Sequence, residues 1–402
     1  MTAGKVLRGR IMFSDPRRLA VALAGLCAFL DLYATQSILP LFMQEFAASP
    51  AEVSLTVSAI TFAVALIAPF VGIFADFIGR KRIIVGAMFL LVAPTVLLAG
   101  AGSLHQVVLL RFVQGLLLPP IFAITIVYIG DEWPSADVPS VTGIYMAGSA
   151  LGGFLGRFIS GMVSEFWGWR SAFLVLAAVT LVSACVVGLF LPRETRFVRA
   201  SGLVSAVNAM IGNLRDPQLI AAFAVGFAVL FSFVAGFTYV NFYLAAPPFN
   251  LSPGGLGSIF IVYLFGVAVT PISGRVIQRF GRRTVVACAF TLWALSLLVT
   301  IIPSLPVVIA GLAMLAASGF VAQTCTTSYL AVAARRARAS AVGLYVTFYY
   351  IGGSVGGVAP APAWHLFGWP GVVGFIILVL GLALLLIFRY WHEAPLPAPP
   401  RS

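Results

Sequence analysis

Stretches of about 20 mostly apolar residues recur along this chain from end to end, divided by short breaks rich in charge, proline or glycine. A run of that length crosses the hydrocarbon core of a bilayer, about 30 Å thick, as an α-helix. In lipid, only helices and closed barrels satisfy their own backbone hydrogen bonds. The pattern predicts twelve spans, at 19–42, 52–75, 83–102, 106–128, 139–163, 170–191, 217–244, 254–275, 284–302, 306–329, 340–363 and 370–389. Composition agrees: 61% of the chain is hydrophobic and 9% charged, where a soluble globular chain carries about 45–50% apolar and about 25% charged residues. Mean hydropathy is +1.06. The expected fold class is an all-α membrane protein with twelve transmembrane helices, which excludes soluble enzymes, nucleic-acid binders and disordered scaffolds.

The formal charge of +12, from 24 Lys+Arg against 12 Asp+Glu, reads as topology, because basic loops stay on the cytoplasmic side. One side receives the N-terminal tail, Arg80, Lys81, Arg82, Arg193, Arg196, Arg199, Arg215, the Arg275–Arg283 and Arg335–Arg338 clusters and the C-terminal tail, while the other has essentially Arg170. Both termini are therefore expected in the cytoplasm of a multi-pass protein of the bacterial inner membrane. The basic N-terminus resembles the n-region of a signal peptide, but the run 19–42 is too long for a signal h-region and suits a retained first span. Cys27, Cys185, Cys288 and Cys325 all fall inside apolar runs without C-x-x-C spacing, so neither a disulfide framework nor a metal site is expected.

The longest polar interruption suggests a division into a cytoplasmic tail (1–18), a six-helix bundle (19–191), a cytoplasmic central loop (192–216), a second six-helix bundle (217–389) and a disordered tail (390–402). The halves repeat. Pro69, Gly72, Gly79 and Arg80 recur 202 residues later as Pro271, Gly274, Gly281 and Arg282; Gly143, Tyr145, Gly152, Gly153, Gly156, Gly168 and Trp169 recur 200 residues later as Gly343, Tyr345, Gly352, Gly353, Gly356, Gly368 and Trp369. Two pseudo-symmetric bundles of this kind are the architecture of transporters that rock two halves about a midplane site.

Between the second and third spans the chain reads Gly72-Ile73-Phe74-Ala75-Asp76-Phe77-Ile78-Gly79-Arg80-Lys81-Arg82, which resembles the G-x-L-a-D-r-x-G-r-k signature of the major facilitator superfamily. Arg111-Phe112-Val113-Gln114-Gly115 is similar to its R-x-x-Q-G motif, and Gly148-Ser149-Ala150-Leu151-Gly152-Gly153 to the antiporter motif of its twelve-helix drug:proton antiporters. With Trp169-Arg170 opening the sixth span and Leu191-Pro192-Arg193-Glu194 closing it, the resemblance covers the whole chain. It departs at Phe74 for Leu, Phe77 for Arg, Ser149 for the antiporter proline, Gln278 for the acid of the second-half copy, and Ala313 where a counterpart of Arg111 would stand.

Asp31 is the one carboxylate placed inside a span away from its ends. A charge at that depth is costly, so such a residue faces a cavity, pairs with a cation or titrates. It is the candidate proton-coupling residue; a permanent structural ion pair or a polar cavity wall is the alternative. Arg111 is its candidate partner. At about 1.5 Å per residue, Asp31 lies roughly 18 Å from the inner end of its predicted helix and Arg111 roughly 8 Å from the outer end of its own, similar depths in a core about 30 Å thick. The alternative has Arg111 bonding backbone carbonyls. Gln114, one turn away, shares its face.

Arg157, near an outer end, is expected to snorkel toward the headgroups and is a candidate gate. Gly148, Gly152 and Gly156 have the spacing that lets another helix approach closely; with Gly153 they form the antiporter motif, on a helix that in the superfamily lies between the halves. The resemblance makes Gly72, Asp76, Gly79 and Arg80 a conformational latch, in which Asp76 and Arg80 cap helix ends and pair across the interface, and leaves Lys81 and Arg82 a solvated basic loop. Because the superfamily lines its cavity with helices one, four, seven and ten, it also implies substrate contacts at Tyr33, Gln36, Gln114, Tyr239, Asn241, Tyr243, Gln323 and Thr327, with helix packing as the alternative for each.

Enzyme signals are absent from the sequence. Gly352-Gly353-Ser354-Val355-Gly356 matches the G-x-S-x-G pattern only as text, inside a predicted span. His105, His365 and His392 show no metal spacing, and there is no P-loop. The chain is thus expected to be no enzyme and to need no cofactor, with the proton gradient as its energy source. The expected function is proton-coupled efflux of small organic compounds or drugs by alternating access; a proton-coupled importer of a small metabolite and a facilitative uniporter are the alternatives. A cavity with aromatics, one acid and few fixed donors suits amphipathic or weakly cationic molecules. Expected partners are that substrate, protons and the bilayer, with no nucleic acid, for a monomer.

Overall fold

A computed structural model of the chain describes residues 15–194, 210–334 and 338–391, apart from the side chains of 73, 76, 77, 338 and 339. Lys5, Arg8, Arg10, Arg196, Arg199, Arg335, Arg336, residues 392–402 of the C-terminal tail and the Asp76 and Arg338 side chains lie outside it. The first two residues of the expected disordered tail are ordered instead, Tyr390 ending the last helix and Trp391 buried against Tyr329. By packing, the chain divides into two compact units, Met1–Ser201 with Leu251–Phe260, and Gly202–Asn250 with Ile261–Ser402. Residues 251–260, part of the second half by sequence, pack with the first.

The first unit runs α1 (Pro16–Leu32), a 3₁₀ turn (Gln36–Ile38), α2 (Leu39–Glu45), α3 (Pro50–Ile67), α4 (Val71–Ile78), α5 (Arg80–Ala99), α6 (Leu104–Glu132) and α7 (Val138–Phe190). Further along the chain come α8 (Pro217–Ala245), α9 (Pro253–Ile259), α10 (Val262–Phe280), α11 (Arg282–Val299), α12 (Leu305–Ala333), α13 (Arg338–Val358) and α14 (Ala361–Tyr390). The 53 residues of α7 would measure about 80 Å if continuous, and Gly168, at φ 80°, divides them into two spans. Gly368, at φ 62°, likewise separates the end of the eleventh span from the twelfth inside α14. Twelve spans result among the described residues, six in each half of the sequence.

The capping follows from local chemistry. Asp15 accepts from the Arg17 backbone N–H at the start of α1, and the Arg17 guanidinium beside it holds its carboxyl below the ordinary carboxylate range. Ser49 and Glu52 form a capping box at α3.

The expected unbroken first span, 19–42, is instead broken between α1 and α2. Pro40 explains it: the ring removes the N–H that would serve the Gln36 carbonyl and collides with that carbonyl in a regular helix. Pro69 similarly separates α3 from α4.

Within the first unit, α1 crosses the first limb of α7 at backbone contact. A Cβ at Gly148, Gly152 or Gly156 would overlap the main chain of Ala22, Leu26 or Leu30 respectively. These glycines therefore join two helices of the same unit. In the second unit, Gly352 and Gly356 meet the main chain of Phe227 and Phe231 on α8 in the same way. Around them the second unit is aromatic. Phe233 packs against Trp293 at 4.7 Å, Phe320 at 5.7 Å and Tyr263 at 5.9 Å between ring centroids.

Candidate functional site

The break in the first span leaves Asp31 one residue from the end of α1, yet fully buried, at 0% exposure. Its carboxylate sits in a cage of neutral polar groups from three other helices. Thr180 of α7 donates its hydroxyl to Oδ2 at 2.9 Å. Thr95 of α5 lies 3.3 Å from Oδ1, and the Gln114 amide of α6 lies 3.5 Å from it. Among the described residues, Asp31 is the one acidic side chain that is buried. Full enclosure leaves it suited to a proton and not to an organic cation.

Arg111 does not reach that carboxylate, which corrects the predicted pair. Carbonyls at a helix end lack their full set of helical partners, and the guanidinium takes two of them: Nη1 donates to the Asp31 carbonyl, which also accepts a long bond from the Ala34 N–H at 3.4 Å, and Nη2 to the Leu32 carbonyl, both guanidinium bonds at 2.6 Å. Its Nε donates to the Thr56 carbonyl at 3.2 Å, and Nη1 also to Gln114 Oε1 at 2.8 Å. The planar fork of an arginine fits such a pair of oxygens. Arg111 thus fastens the break from one side.

Arg157 fastens it from the other. Expected to snorkel, it is buried instead, at 1% exposure. Its Nε donates to Gln36 Oε1 at 2.7 Å and Nη1 to the Gly153 carbonyl at 2.6 Å. The guanidinium carbon lies 4.4 Å from the Tyr33 ring centroid and 4.6 Å from that of Phe260, and Ser37 donates to the Arg157 carbonyl at 2.7 Å. Tyr33 and Gln36, predicted substrate contacts, take part in this grip on the broken segment.

The same end of α7 holds α9. A Cβ at Gly161 would overlap the Pro253 carbonyl, and Glu165 Oε2 accepts from the Ser252 hydroxyl and the Gly254 N–H, both at 2.8 Å. Glu165→Ala removes both bonds, so amide exchange across Gly254–Ile259 is expected to quicken several-fold, read by hydrogen–deuterium exchange; unchanged exchange would show that Glu165 does not hold α9.

The remaining predicted contacts lie in the second unit and do not form one cluster there. Tyr239 is buried and donates to the Gly357 carbonyl at 3.1 Å. Asn241 donates to the Phe237 carbonyl of its own helix. Tyr243 stacks on Trp369 at 5.8 Å, Gln323 accepts from the Tyr345 hydroxyl at 3.1 Å, and Thr327 is exposed with its hydroxyl turned to the Gln323 carbonyl at 3.0 Å. Stretches 217–274, 284–334 and 340–388 hold no Asp, Glu, Lys or Arg, so the span-buried charges lie in the first unit.

At the opposite end of that unit, Arg80 pairs with Asp131 of α6, an acid the sequence reading did not single out and one within the same unit. Gly79 turns at φ 96°, and the Lys81 N–H donates to Glu194 Oε2 at 3.2 Å. Gly72 faces open space. Gly79→Ala forces a side chain into a backbone region almost reserved for glycine and against the Glu194 carboxylate, an expected cost on the order of 1–3 kcal/mol, measured by thermal unfolding in detergent. A cleft of about 590 Å³ opens here between Lys81, Arg82, Val85, Gly86, Arg193 and Glu194. Lys81 stands 14 residues before Thr95 in α5, about 21 Å along the axis, so this cleft is remote from Asp31.

Residues 21–246 and 228–402 both match the family model described as Major Facilitator Superfamily. The chain belongs to that superfamily. Among relatives of this transporter, an "Inner membrane transport protein YnfM" of Escherichia coli (strain K12) is 34% identical over 91% of this chain and 88% of its own. An "Uncharacterized MFS-type transporter YybF" of Bacillus subtilis (strain 168) is 32% identical over 90% of each. Of solved structures, a variant of the nucleoside transporter NupG superposes with a TM-score of 0.76 at 14% identity, covering 93% of this chain and 100% of that one. A bacterial homologue of the lysosomal transporter Spinster superposes at 0.75 with 16% identity, covering 95% and 100%. These likenesses make the chain a multi-pass membrane transporter of a small-molecule substrate, and not an enzyme.

Two residues of the Asp31 cage, Thr95 and Thr180, were missed by the sequence reading. Each is a hydroxyl within an apolar run, and no spacing connects positions 31, 95 and 180 before the helices pack.

Proposed function

We propose that this transporter exports small organic compounds or drugs in exchange for protons, by alternating access, in the bacterial inner membrane with both termini in the cytoplasm. The observation that carries the reading is the burial of Asp31 at 0% exposure beside a broken helix. A carboxylate in hydrocarbon surroundings stays ionised only at high cost, and the cage offers it a proton's place and no room for more. The likeness of Gly148–Gly153 to the antiporter motif supports export, and the basic residues on one set of loops support the orientation.

In this cycle Asp31 takes a proton from the outer side, the grip of Arg111 on the Asp31 and Leu32 carbonyls and of Arg157 on residues 33–37 shifts with it, and the proton leaves inward as substrate is carried out. Tyr33, Gln36, Tyr239, Asn241, Tyr243, Gln323 and Thr327 are the proposed contacts of an amphipathic or weakly cationic substrate, Gly72, Asp76, Gly79 and Arg80 the proposed latch, and Arg157 the proposed gate. No cofactor enters the cycle, and one monomer completes it.

The test is a screen of lipophilic dyes, antibiotics and small metabolites in inverted vesicles with an imposed pH gradient. Accumulation of a compound at the expense of the gradient supports export. Depletion from the vesicles by the same gradient makes the protein an importer, and transport indifferent to the gradient makes it a uniporter.

A further inference from the structure

The two oxygens of Asp31 have different neighbours, and the difference assigns the proton. At Oδ2, Thr180 is a donor at 2.9 Å. At Oδ1, the nearer neighbour is Thr95 Oγ1 at 3.3 Å, with the Gln114 amide nitrogen beyond it at 3.5 Å, and the one hydroxyl proton of Thr95 has a better acceptor in the Leu91 carbonyl at 2.7 Å. The same Thr95 oxygen already accepts from Gln114 Nε2 at 2.7 Å. A hydroxyl has one proton to give and two lone pairs to fill. With its proton spent on Leu91 and one lone pair taken by Gln114, Thr95 has one lone pair left, and it faces Oδ1.

We infer that Asp31 carries its proton on Oδ1, donating it to Thr95, while Thr180 holds Oδ2 as the carbonyl oxygen of the acid. The inference rests on the reading that Asp31 is the proton site and names the residues that position it. With the proton present, Thr95 makes all three of its bonds. When the proton leaves, Oδ1 faces a lone pair, and either Thr95 gives up Leu91 or Gln114, whose amide has a second N–H besides the one on Thr95, draws in to Oδ1 from 3.5 Å. Gln114 Oε1 in turn accepts from the Arg111 fork that holds the Asp31 and Leu32 carbonyls. Deprotonation is thereby passed through Thr95, Gln114 and Arg111 to the helix break, and Thr95 is a positioning residue of the coupling step. The other groups facing Asp31 are the Cys27 thiol from its own helix, which also contacts Thr180, and the Arg111 guanidinium.

Infrared difference spectroscopy of the full-length protein in lipid, scanned across pH with the proton as its only ligand, tests this. The carbonyl stretch of a protonated acid rises when a hydrogen bond to its carbonyl oxygen is removed. Native protein is expected to show an acid band that Asp31→Asn abolishes. Thr180→Val is expected to move that band to higher wavenumber, with Thr180→Ser restoring it. Thr95→Val is expected to leave no such upward shift and to weaken the band's pH-linked amide changes at the helix break. If no acid band is lost in Asp31→Asn, the proton-site reading itself fails. If the band is lost there but Thr180→Val leaves it in place, or Thr95→Val is the variant that raises it, the proton is not on Oδ1 and this inference alone is overturned.

Discussion

Replacing Arg111 with leucine is expected to lower stability by on the order of 3–5 kcal/mol, read as earlier thermal unfolding of the purified protein and a lower membrane yield. The magnitude comes from what the guanidinium satisfies. Two carbonyls at the end of α1, the Thr56 carbonyl and Gln114 Oε1 all lose a donor in the dry interior, and a buried acceptor left unmade costs about 1–3 kcal/mol. Lysine is expected to recover a part only, since one ammonium cannot span the positions that the fork bridges. A variant that unfolds at the native temperature would show that the break in the first span needs no cap.

The second large effect is expected at the crossing of α1 and α7. Gly152→Leu and Gly156→Leu place a side chain where the main chain of Leu26 and Leu30 already lies. Overpacking costs about 1–3 kcal/mol even where side chains can move aside, and here the obstruction is backbone, so the helices must part. Loss of folded protein is the expected result for leucine, and a clear fall in melting temperature for alanine. Gly72→Ala and Gly143→Ala are the controls. Nothing lies within 4 Å of a Cβ at either, and both are expected to stay within about 0.5 kcal/mol of native. Equal losses in controls and test variants would mean that glycine matters there for helix flexibility and not for close approach.

Much of the fold was legible because its physics is one-dimensional. Span length and loop charge act residue by residue, and the internal repeat marked positions whose geometry the structure explains. Gly79 and Gly281, matched at 202 residues, and Gly168 and Gly368, matched at 200, are the four described glycines at positive φ. Gly152, Gly156, Gly352 and Gly356 are the close crossings. The break in the first span is written in the sequence as well, since the missing N–H of Pro40 is a local property that needs no packing to act.

The site was legible only in its two charged members and one amide. Asp31, Arg111 and Gln114 stood out because polar residues are rare within spans, and they do meet. Which atoms meet was not legible: a depth count cannot distinguish the Asp31 carboxylate from its carbonyl, because the carbonyl becomes available only through the helix break. Arg157 was misjudged for a related reason. Its distance from a helix end suggested the headgroups, but Gln36, Tyr33 and Phe260 arrive from other segments to cover it.

Central to the proposed cycle is the coupling of transport to protons through Asp31. It is tested most directly in proteoliposomes of the purified protein, by following internal pH when a compound identified in the vesicle screen is added. Proton movement that accompanies transport with native protein and vanishes with Asp31→Asn, while compound binding persists, is the result expected. Equal proton movement in native protein and Asp31→Asn, or transport by native protein with none, would contradict it.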